Sequence, residues 1–255
     1  MCQKTENCIR KEGLTMLEVK HVHKAYQNHT AVEDISFRMK QGEITGLIGP
    51  NGAGKSTTVS MIATLLRPDK GQILFCGEDI AKNPKIIRSS LGYVPQDIAL
   101  YESLTGMDNF EFWGNAYHLS KTQRNERIKQ LSDMIGFTES ELKRKVKEYS
   151  GGMKRRLNIA VALLHDPKLV ILDEPTVGID LQSRKQILSA IEQLKMNGTA
   201  VLYVGHYLEE VERLCDRVLI FNQGKCVWND TVLNSLTLRG QKISLEQLYE
   251  ELSLN

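Results

Sequence analysis

Five short apolar runs recur along the chain, each bounded by glycine, proline or polar residues. They cover residues 44–48, 91–94, 169–172, 200–204 and 218–221. Continuous apolar runs of this length are typical of strands buried on both faces of a parallel sheet. Helical spacing of apolar residues follows the first run, over residues 56–66, and the third run, around Ile187 and Ile191. The pattern predicts an α/β domain with a mostly parallel sheet and flanking helices.

The N-terminal part has a different pattern. Residues 17–20 and 35–39 alternate between apolar and polar side chains, which predicts half-buried strands. Residues 24–28 between them are predicted to form a polar loop that carries Tyr26. A Pro-Asp-Lys-Gly sequence at residues 68–71 predicts a turn before another strand.

The period becomes helical between about residues 97 and 165. Ser120 and Gln123 have the spacing of a capping box, and Gly136 stands where the helix that they open would end. We therefore predict a helical subdomain, over roughly 97–165, that is inserted into the α/β core.

The C-terminal part contains a predicted hairpin and a predicted helix. Residues 218–221 and 226–228 flank an Asn-Gln-Gly-Lys turn, which indicates two antiparallel strands. Ser244 and Gln247 again have capping-box spacing, and they predict a short C-terminal helix within residues 241–255.

Composition excludes several classes of protein. The chain has 255 residues, of which 41% are hydrophobic and 25% charged, as in an ordinary globular domain. A net charge of +2 gives no electrostatic indication of nucleic-acid binding. No apolar run approaches the ~18 residues of a membrane span. Residues 1–16 contain no apolar stretch of a signal peptide and are predicted to be a disordered tail.

Five cysteines are scattered along the chain: Cys2, Cys8, Cys76, Cys215 and Cys226. Their odd number and irregular spacing favour reduced thiols in the cytosol over a disulfide framework.

A glycine-rich loop separates the first apolar run from the helix that follows it. The loop fits the pattern G-x-x-x-x-G-K-[ST] and consists of Gly49, Pro50, Asn51, Gly52, Ala53, Gly54, Lys55, Ser56 and Thr57. Between a strand and a helix this pattern binds phosphate, because backbone N–H groups at the start of the helix surround the anion. Lys55 would then contact the β- and γ-phosphates of a nucleotide, and the Ser56 hydroxyl would be a ligand of Mg²⁺.

Polar side chains follow two later strands. Asp173 and Glu174 come directly after the run 169–172, and His206 follows the run 200–204. Because ligands bind at the carboxyl ends of parallel strands, we expect these side chains near the phosphate loop. Asp173 matches the carboxylate that holds Mg²⁺, and Glu174 is placed to polarise a water for attack on the γ-phosphate.

The order of these motifs resembles the ATP-binding subunits of ABC transporters. The matching positions are Tyr26, Gly49 to Thr57, Gln96, Ser150-Gly151-Gly152, Leu172-Asp173-Glu174-Pro175, Asp180 and His206. Kinases and GTPases share the phosphate loop but lack the second half of this set. The resemblance implies a P-loop NTPase core over residues 17–240, with a mostly parallel sheet, an antiparallel β subdomain and the inserted helical subdomain.

The same resemblance assigns roles around one ATP molecule. Tyr26 would stack on the adenine ring. Three side chains would hold Mg²⁺, namely Ser56, Gln96 and Asp173. Glu174 would be the general base, His206 would contact the γ-phosphate, and Lys55 would complete the catalytic set.

A second copy of the chain would complete the site. The resemblance implies that Ser150, Gly151 and Gly152 contact the γ-phosphate held by another subunit, so that a dimer, expected to be a homodimer, encloses two ATP molecules. Asp180 joins the nucleotide-binding set on the same ground.

Some positions depart from the family pattern. Tyr149 and Met153 flank the Ser-Gly-Gly motif in place of the common leucine and glutamine, and Gly205 precedes the histidine where threonine or serine is usual. None of these departures removes a predicted catalytic residue, so an active ATPase is expected.

The sequences at 149–157 and 175–180 resemble the ATPases of ABC-2-type exporters of drugs and antibiotics. This implies an integral-membrane permease partner, and a cytoplasmic protein held at the inner face of the membrane through that partner. Residues 98–113 would line the groove that receives the permease, and no nucleic-acid partner is expected. Two alternatives stay open: a soluble ABC ATPase of the cofactor-assembly type, and a regulatory switch, against which Glu174 and His206 argue.

Overall fold

A computed structural model describes residues 15–27, 29–238 and 241–253. The strands are β1 Thr15–Tyr26, β2 His29–Lys40, β3 Ile44–Ile48, β4 Lys70–Phe75, β5 Glu78–Asp79, β6 Leu91–Val94, β7 Leu169–Asp173, β8 Ala200–Val204, β9 Arg217–Asn222, β10 Lys225–Thr231, β11 Thr237–Leu238 and β12 Gln241–Lys242. The helices are α1 Lys55–Ile62, α2 Pro84–Arg88, α3 Gly106–Ala116, α4 Lys121–Ile135, α5 Glu139–Leu142, α6 Gly151–Ala162, α7 Leu181–Met196, α8 Leu208–Leu214, α9 Val232–Ser235 and α10 Leu245–Ser253, with a 3₁₀ turn at Val146–Glu148.

Ten of the described strands form one sheet in the order β5-β4-β1-β2-β10-β9-β3-β8-β7-β6. Strands β9, β3, β8, β7 and β6 are parallel to one another, whereas β4, β1 and β2 pair antiparallel. β9 and β10 form the predicted antiparallel hairpin. The predicted fold class, a mostly parallel core with an antiparallel β subdomain, is confirmed.

The parallel strands are buried on both faces. In β7, Val170 and Leu172 pack with the helices of one layer, whereas Leu169 and Ile171 pack with α1 and the antiparallel strands on the other. All five residues of β3, β7 and β8 are buried. Burial on both faces is why these strands have continuous apolar sequences and no alternation.

Helices α3 to α6 lie in the chain between β6 and β7. The capping box that opens α4 is present: the Ser120 amide donates to Gln123 Oε1 at 3.0 Å, and the Gln123 amide donates to Ser120 Oγ at 3.3 Å. Gly136 ends this helix with a φ of 67°. Ser244 and Gln247 make the same exchange at α10. Both predicted caps are confirmed.

Strand β1 is longer at both ends than its alternation predicts. It begins at Thr15, because Met16 is buried in the core and its carbonyl accepts a hydrogen bond from the Cys76 amide. Residues 1–14 of the predicted tail lie outside the described residues. The prediction of a loop over residues 24–28 is wrong for 24–26, where the strand continues and Tyr26 pairs with His29.

Other elements also differ from the predictions. Helix α1 ends at Ile62 and not at 66, because Thr64 adopts a positive φ of 59° and Leu65 is 65% exposed. Strand β4 begins at Lys70, inside the turn predicted over residues 68–71. The seven-residue helix α8 was not predicted, since it is too short to produce a clear helical period.

No disulfide joins Cys76, Cys215 and Cys226; Cys2 and Cys8 lie outside the described residues. Within the part of the chain that the structure describes, every helix is too short or too polar to cross a membrane.

Candidate functional site

A cleft of about 550 Å³ lies at the carboxyl ends of β3, β7 and β8. It is lined by Tyr26, His29, Ala31, Asn51, Gly52, Gly54, Lys55, Ser56, Thr57, Gln96, Asp173, Glu174 and His206. The fold therefore brings together in one cleft the phosphate loop and the polar strand ends that the sequence places far apart.

The phosphate loop lies between β3 and α1, as its sequence predicts. Gly54 precedes the first residue of α1 with a φ of 96°, and a Cβ atom there would lie 2.5 Å from the carbonyl oxygen of Ala31. Only glycine fits this position, because both the backbone conformation and the close approach exclude a side chain. Ala53, within the loop, is buried. The loop thus leaves the amides at the start of α1 directed at the cleft.

Lys55 is folded against its own loop. Its Nζ donates hydrogen bonds to the carbonyl oxygens of Gly49 at 2.7 Å and Pro50 at 3.0 Å. Burial lowers the pKa of the Lys55 ammonium, while the neighbouring carboxylates of Glu174 and Asp173 oppose that shift. The lysine is therefore a desolvated cation beside two carboxylates, at the point where the cleft would receive an anion.

Asp173 is the last residue of β7 and is 8% exposed. Burial is the main cause that raises the pKa of its carboxyl, and the charge of Glu174 raises it further, while Lys55 and Arg155 lower it. A carboxylate in such surroundings gains from a cation in the cleft, and the Ser56 hydroxyl lines the same cleft.

Glu174 connects the strand ends across the cleft. Its Oε1 lies 2.6 Å from His206 Nε2, and its Oε2 accepts a hydrogen bond from Gln96 Nε2 at 2.8 Å. Its backbone adopts a positive φ of 50°, and its amide donates to the carbonyl of Val204 at 2.8 Å. Three side chains that the family resemblance assigns to the nucleotide site, Glu174, His206 and Gln96, thus form one hydrogen-bonded group.

Tyr26 lies at the edge of the cleft and is 43% exposed, with Lys24 Nζ 5.8 Å from the centroid of its ring. His29, the residue paired with it on β2, also lines the cleft. Sequence reasoning missed His29, because nothing in the pattern indicates that β1 continues far enough to pair Tyr26 with it.

Seven predicted site residues do not line this cleft. Gly49, Pro50 and Ala53 belong to the phosphate loop itself. The other four are Ser150, Gly151, Gly152 and Asp180, which lie apart from the loop in the sequence. They form a second group in which Ser150 caps α6 and Asp180 caps α7. A Cβ atom on Gly152 would lie 2.2 Å from Ser183 Oγ and 2.6 Å from Asp180 Oδ2, so the glycine permits α6 to approach the start of α7. Gly151 is exposed, with open space around it.

Arg155 links helix α6 to the backbone beside the cleft. It was not predicted from the sequence. It lies on α6 and is 5% exposed. Its guanidinium donates to the carbonyl of Pro95 at 2.8 Å and to the carbonyl of Glu174 at 3.0 Å. It therefore fixes the backbone beside both Gln96 and Glu174. In the sequence it is one of three successive basic residues, and the run does not indicate that Arg155 and Arg156 are buried while Lys154 is not.

Replacing Arg155 by methionine is expected to lower the free energy of unfolding by about 2–4 kcal/mol, because two part-buried carbonyl oxygens lose the donor that the buried guanidinium supplies. Urea denaturation measures this change. Arg155→Lys serves as the conservative variant, and since lysine lacks the planar pair of donors we expect an intermediate loss. A loss below about 0.5 kcal/mol in the methionine variant, the size of an ordinary surface change, would contradict this role.

Two comparisons with known sequences agree with this site. The profile described as "ABC transporter" matches residues 32–177, more than half of the chain. The linearmycin resistance ATP-binding protein LnrL of Bacillus subtilis (strain 168) is 49% identical over 212 residues, which are 83% of this chain and 68% of LnrL.

Solved structures give the same result. An ATP-binding subunit of an ABC transporter superimposes with a TM-score of 0.85 at 34% identity, covering 93% of this chain and 99% of the other. A dimeric ATP-binding cassette in a post-hydrolysis state, bound to ADP and Pi, superimposes with a TM-score of 0.77 at 25% identity, covering 85% of this chain and 99% of the other.

The matched region contains both the phosphate loop and the acidic end of β7 that line the cleft. The chain therefore belongs to the ABC transporter family, as an ATP-binding subunit whose ATPase activity is coupled to transport.

Proposed function

We propose that Glu174 is the general base of ATP hydrolysis and that His206 and Gln96 hold it in position. The observation that carries this proposal is the hydrogen-bonded group of Glu174, His206 and Gln96 at the wall of a cleft that also contains Lys55. A carboxylate can take the proton of an attacking water, and its two oxygens here are already oriented by separate partners. His206 is then placed to contact the γ-phosphate.

The cleft also fits a Mg²⁺ ion. Ser56, Gln96 and Asp173 line it, and the buried Asp173 carboxylate is stabilised by a cation. Mg²⁺ usually takes one or two protein ligands and completes its shell with water and phosphate oxygens, so it does not require a larger cluster of acidic or imidazole ligands; the described residues contain none. When bound, the ion neutralises charge that develops on the phosphates.

The remaining residues bind and orient the nucleotide. The loop from Gly49 to Thr57 surrounds the phosphates with backbone amides, and Lys55 exchanges its hydrogen bonds to loop carbonyls for phosphate oxygens. The exposed ring of Tyr26 offers a flat face for the adenine.

A dimer of two such subunits completes the site in this proposal. Ser150, Gly151 and Gly152 lie outside their own cleft, and Gly151 is exposed with open space around it. Their position at the start of α6 suits them to the γ-phosphate of a second subunit. Asp180, whose side chain lies against Gly152, would support this surface from within. Closure on ATP and opening after hydrolysis would then drive transport.

The proposed partner is an integral-membrane permease of an exporter. The relative LnrL is named for resistance to linearmycin, which favours an export role for this chain as well. Exposed apolar side chains Tyr101, Leu104 and Phe112 lie within the predicted groove, and the rings of Tyr101 and Phe112 are in edge contact at 4.7 Å. Binding through this surface would place the chain on the cytoplasmic face of the membrane.

Purification from membranes tests the exporter proposal. We expect the tagged chain, extracted from native membranes in mild detergent, to retain an integral-membrane subunit. The double variant Tyr101→Ala and Phe112→Ala should lose most of that subunit while its affinity for ATP stays within about twofold, because the apolar surface of the contact is removed and the cleft is untouched.

Val227→Ala is the matched control, since Val227 is an exposed apolar residue on β10. It should retain the membrane subunit. Isolation of the native chain only in a soluble complex would contradict the exporter proposal and favour the cofactor-assembly alternative.

A further inference from the structure

A buried polar network includes residues close in sequence to both Glu174 and His206. Its centre is Glu210 on α8, which is 2% exposed. The Glu210 carboxylate accepts hydrogen bonds from the Tyr203 hydroxyl, from Thr176 Oγ1 at 2.7 Å and from Arg184 Nε at 2.5 Å. Charged groups are rarely buried so deeply unless every acceptor is satisfied. Here three donors from three separate elements satisfy one carboxylate.

The network joins the two segments that carry the proposed catalytic residues. Tyr203 and Glu210 bond to each other across the turn that contains His206, so their contact closes the base of that turn. Thr176 lies two residues after Glu174, and its hydroxyl lies 3.2 Å from the Tyr203 hydroxyl. The Tyr203 hydroxyl therefore contacts both the loop after Glu174 and the helix that follows His206.

The ring of Tyr203 also explains the unusual Gly205. A Cβ atom on Gly205 would lie 2.6 Å from Tyr203 Cε1 and 3.4 Å from Cδ1 and Cζ of the same ring. Tyr203 is 0% exposed, so its ring is enclosed by other protein atoms and cannot swing into solvent without disturbing them. Residue 205 is thus a glycine because the aromatic ring of Tyr203 occupies the space that a side chain would need.

We propose that Tyr203 is a positioning residue of the ATPase site, and that Tyr203 and Gly205 form a coupled pair. The hydroxyl of Tyr203 ties the His206 turn to the loop after Glu174, and its ring occupies the volume that a side chain at 205 would need. The proposal rests on the assignment of Glu174 and His206 to hydrolysis, and it assigns to the tyrosine the role of setting their relative position.

Tyr203→Phe tests the hydroxyl. It should lower kcat about five- to twentyfold while KM for ATP stays within about threefold, because the cleft's binding residues are unchanged and only the orientation of the base is affected. The ring ¹H–¹³C signal of His206, assigned by its loss in His206→Asn, should shift at constant pH. Thr176→Val removes the second hydroxyl with little change of shape. It should also lower kcat, leave KM for ATP nearly unchanged and shift the His206 signal, so it tests the proposal even where Tyr203→Phe folds poorly.

Gly205→Ala tests the coupling. In the native background we expect it to lower kcat about tenfold, because the added methyl group displaces the ring or the His206 turn. In a Tyr203→Leu background, where Cε1 is absent, the same substitution should lower kcat less than about threefold. Tyr249→Phe, on the C-terminal helix, is the matched control and should leave kcat and the His206 signal unchanged.

Two results would overturn the proposal: an unmoved His206 signal in both Tyr203→Phe and Thr176→Val, or an equal effect of Gly205→Ala in both backgrounds. Failure of the catalytic assignment gives a different result, because Glu174→Gln would then hydrolyse ATP normally. The His206 signal reports position without hydrolysis, so it separates the two cases.

Discussion

Glu174→Gln is expected to lower kcat for ATP hydrolysis by at least about 100-fold, because an amide cannot take the proton of the attacking water. Glutamine has nearly the same shape as glutamate, and its single amide oxygen can still accept the hydrogen bond from Gln96. ATP affinity should therefore remain within about threefold, since the phosphate loop is unchanged. Phosphate release at saturating ATP and Mg²⁺ measures the change in kcat.

The same variant should accumulate as an ATP-bound dimer. Bound ATP is no longer removed by hydrolysis, so closure persists for as long as the nucleotide stays bound. Size-exclusion chromatography with and without ATP detects this dimer. Glu192→Gln is the matched control: Glu192 lies on α7 in an exposed pair with Arg213, and its loss should change neither turnover nor association. Normal hydrolysis by Glu174→Gln would show that the base is another group.

Much of the site could be predicted from the sequence because its chemistry is local. The phosphate loop requires a strand, a glycine turn and a helix in succession, and all three appear within residues 44–62. Asp173 and Glu174 directly follow four buried apolar residues. A parallel sheet then brings strand ends together, so the meeting of Glu174 and His206 follows from topology.

Contacts between distant segments could not be predicted in this way. The sequence gives no sign that Arg155 reaches the carbonyls of Pro95 and Glu174, because that depends on how α6 packs against the sheet. Gly205 could be recognised only as a departure from the family pattern. The structure supplies the reason, which is the ring of Tyr203, and the ring's position depends in turn on Glu210.

The end of strand β1 could not be predicted for a different reason. Lys24 and Ala25 look like a loop because they are followed by polar residues, yet they remain in β1. Lys24 Nζ lies 2.7 Å from Asp69 Oδ1, and the Ala25 amide donates to Asp69 Oδ2 at 2.9 Å. A partner forty-odd residues away thus stabilises a strand end whose local sequence favours a turn.

The buried charge of Lys55 is expected to destabilise the fold, although the same charge is important for binding the nucleotide. Burial lowers its pKa despite the nearby carboxylates, so the folded chain binds the Lys55 proton less tightly than the unfolded chain does. The charged lysine therefore opposes folding at every pH below its unfolded pKa, which includes neutral pH. A bound phosphate would remove that opposition by pairing with the ammonium group.

Lys55→Met is accordingly expected to weaken ATP binding without lowering the free energy of unfolding. ATP affinity should fall by at least about 100-fold, because the charge-assisted contact to phosphate is lost. The free energy of unfolding without nucleotide should stay the same or rise by up to about 1 kcal/mol, since methionine fills the volume of the lysine stem without a desolvated charge. Calorimetric titration with ATP and urea denaturation measure the two quantities.

Lys82→Met, at an exposed position before α2, is the matched control and should change neither quantity. A large loss of stability in Lys55→Met would mean that the hydrogen bonds from Nζ to Gly49 and Pro50 outweigh the desolvation of the charge. Lys55 would then hold the loop in shape as well as bind the nucleotide. An unchanged affinity would contradict its place in the binding site, because no other lysine lines the cleft in the described part of the chain.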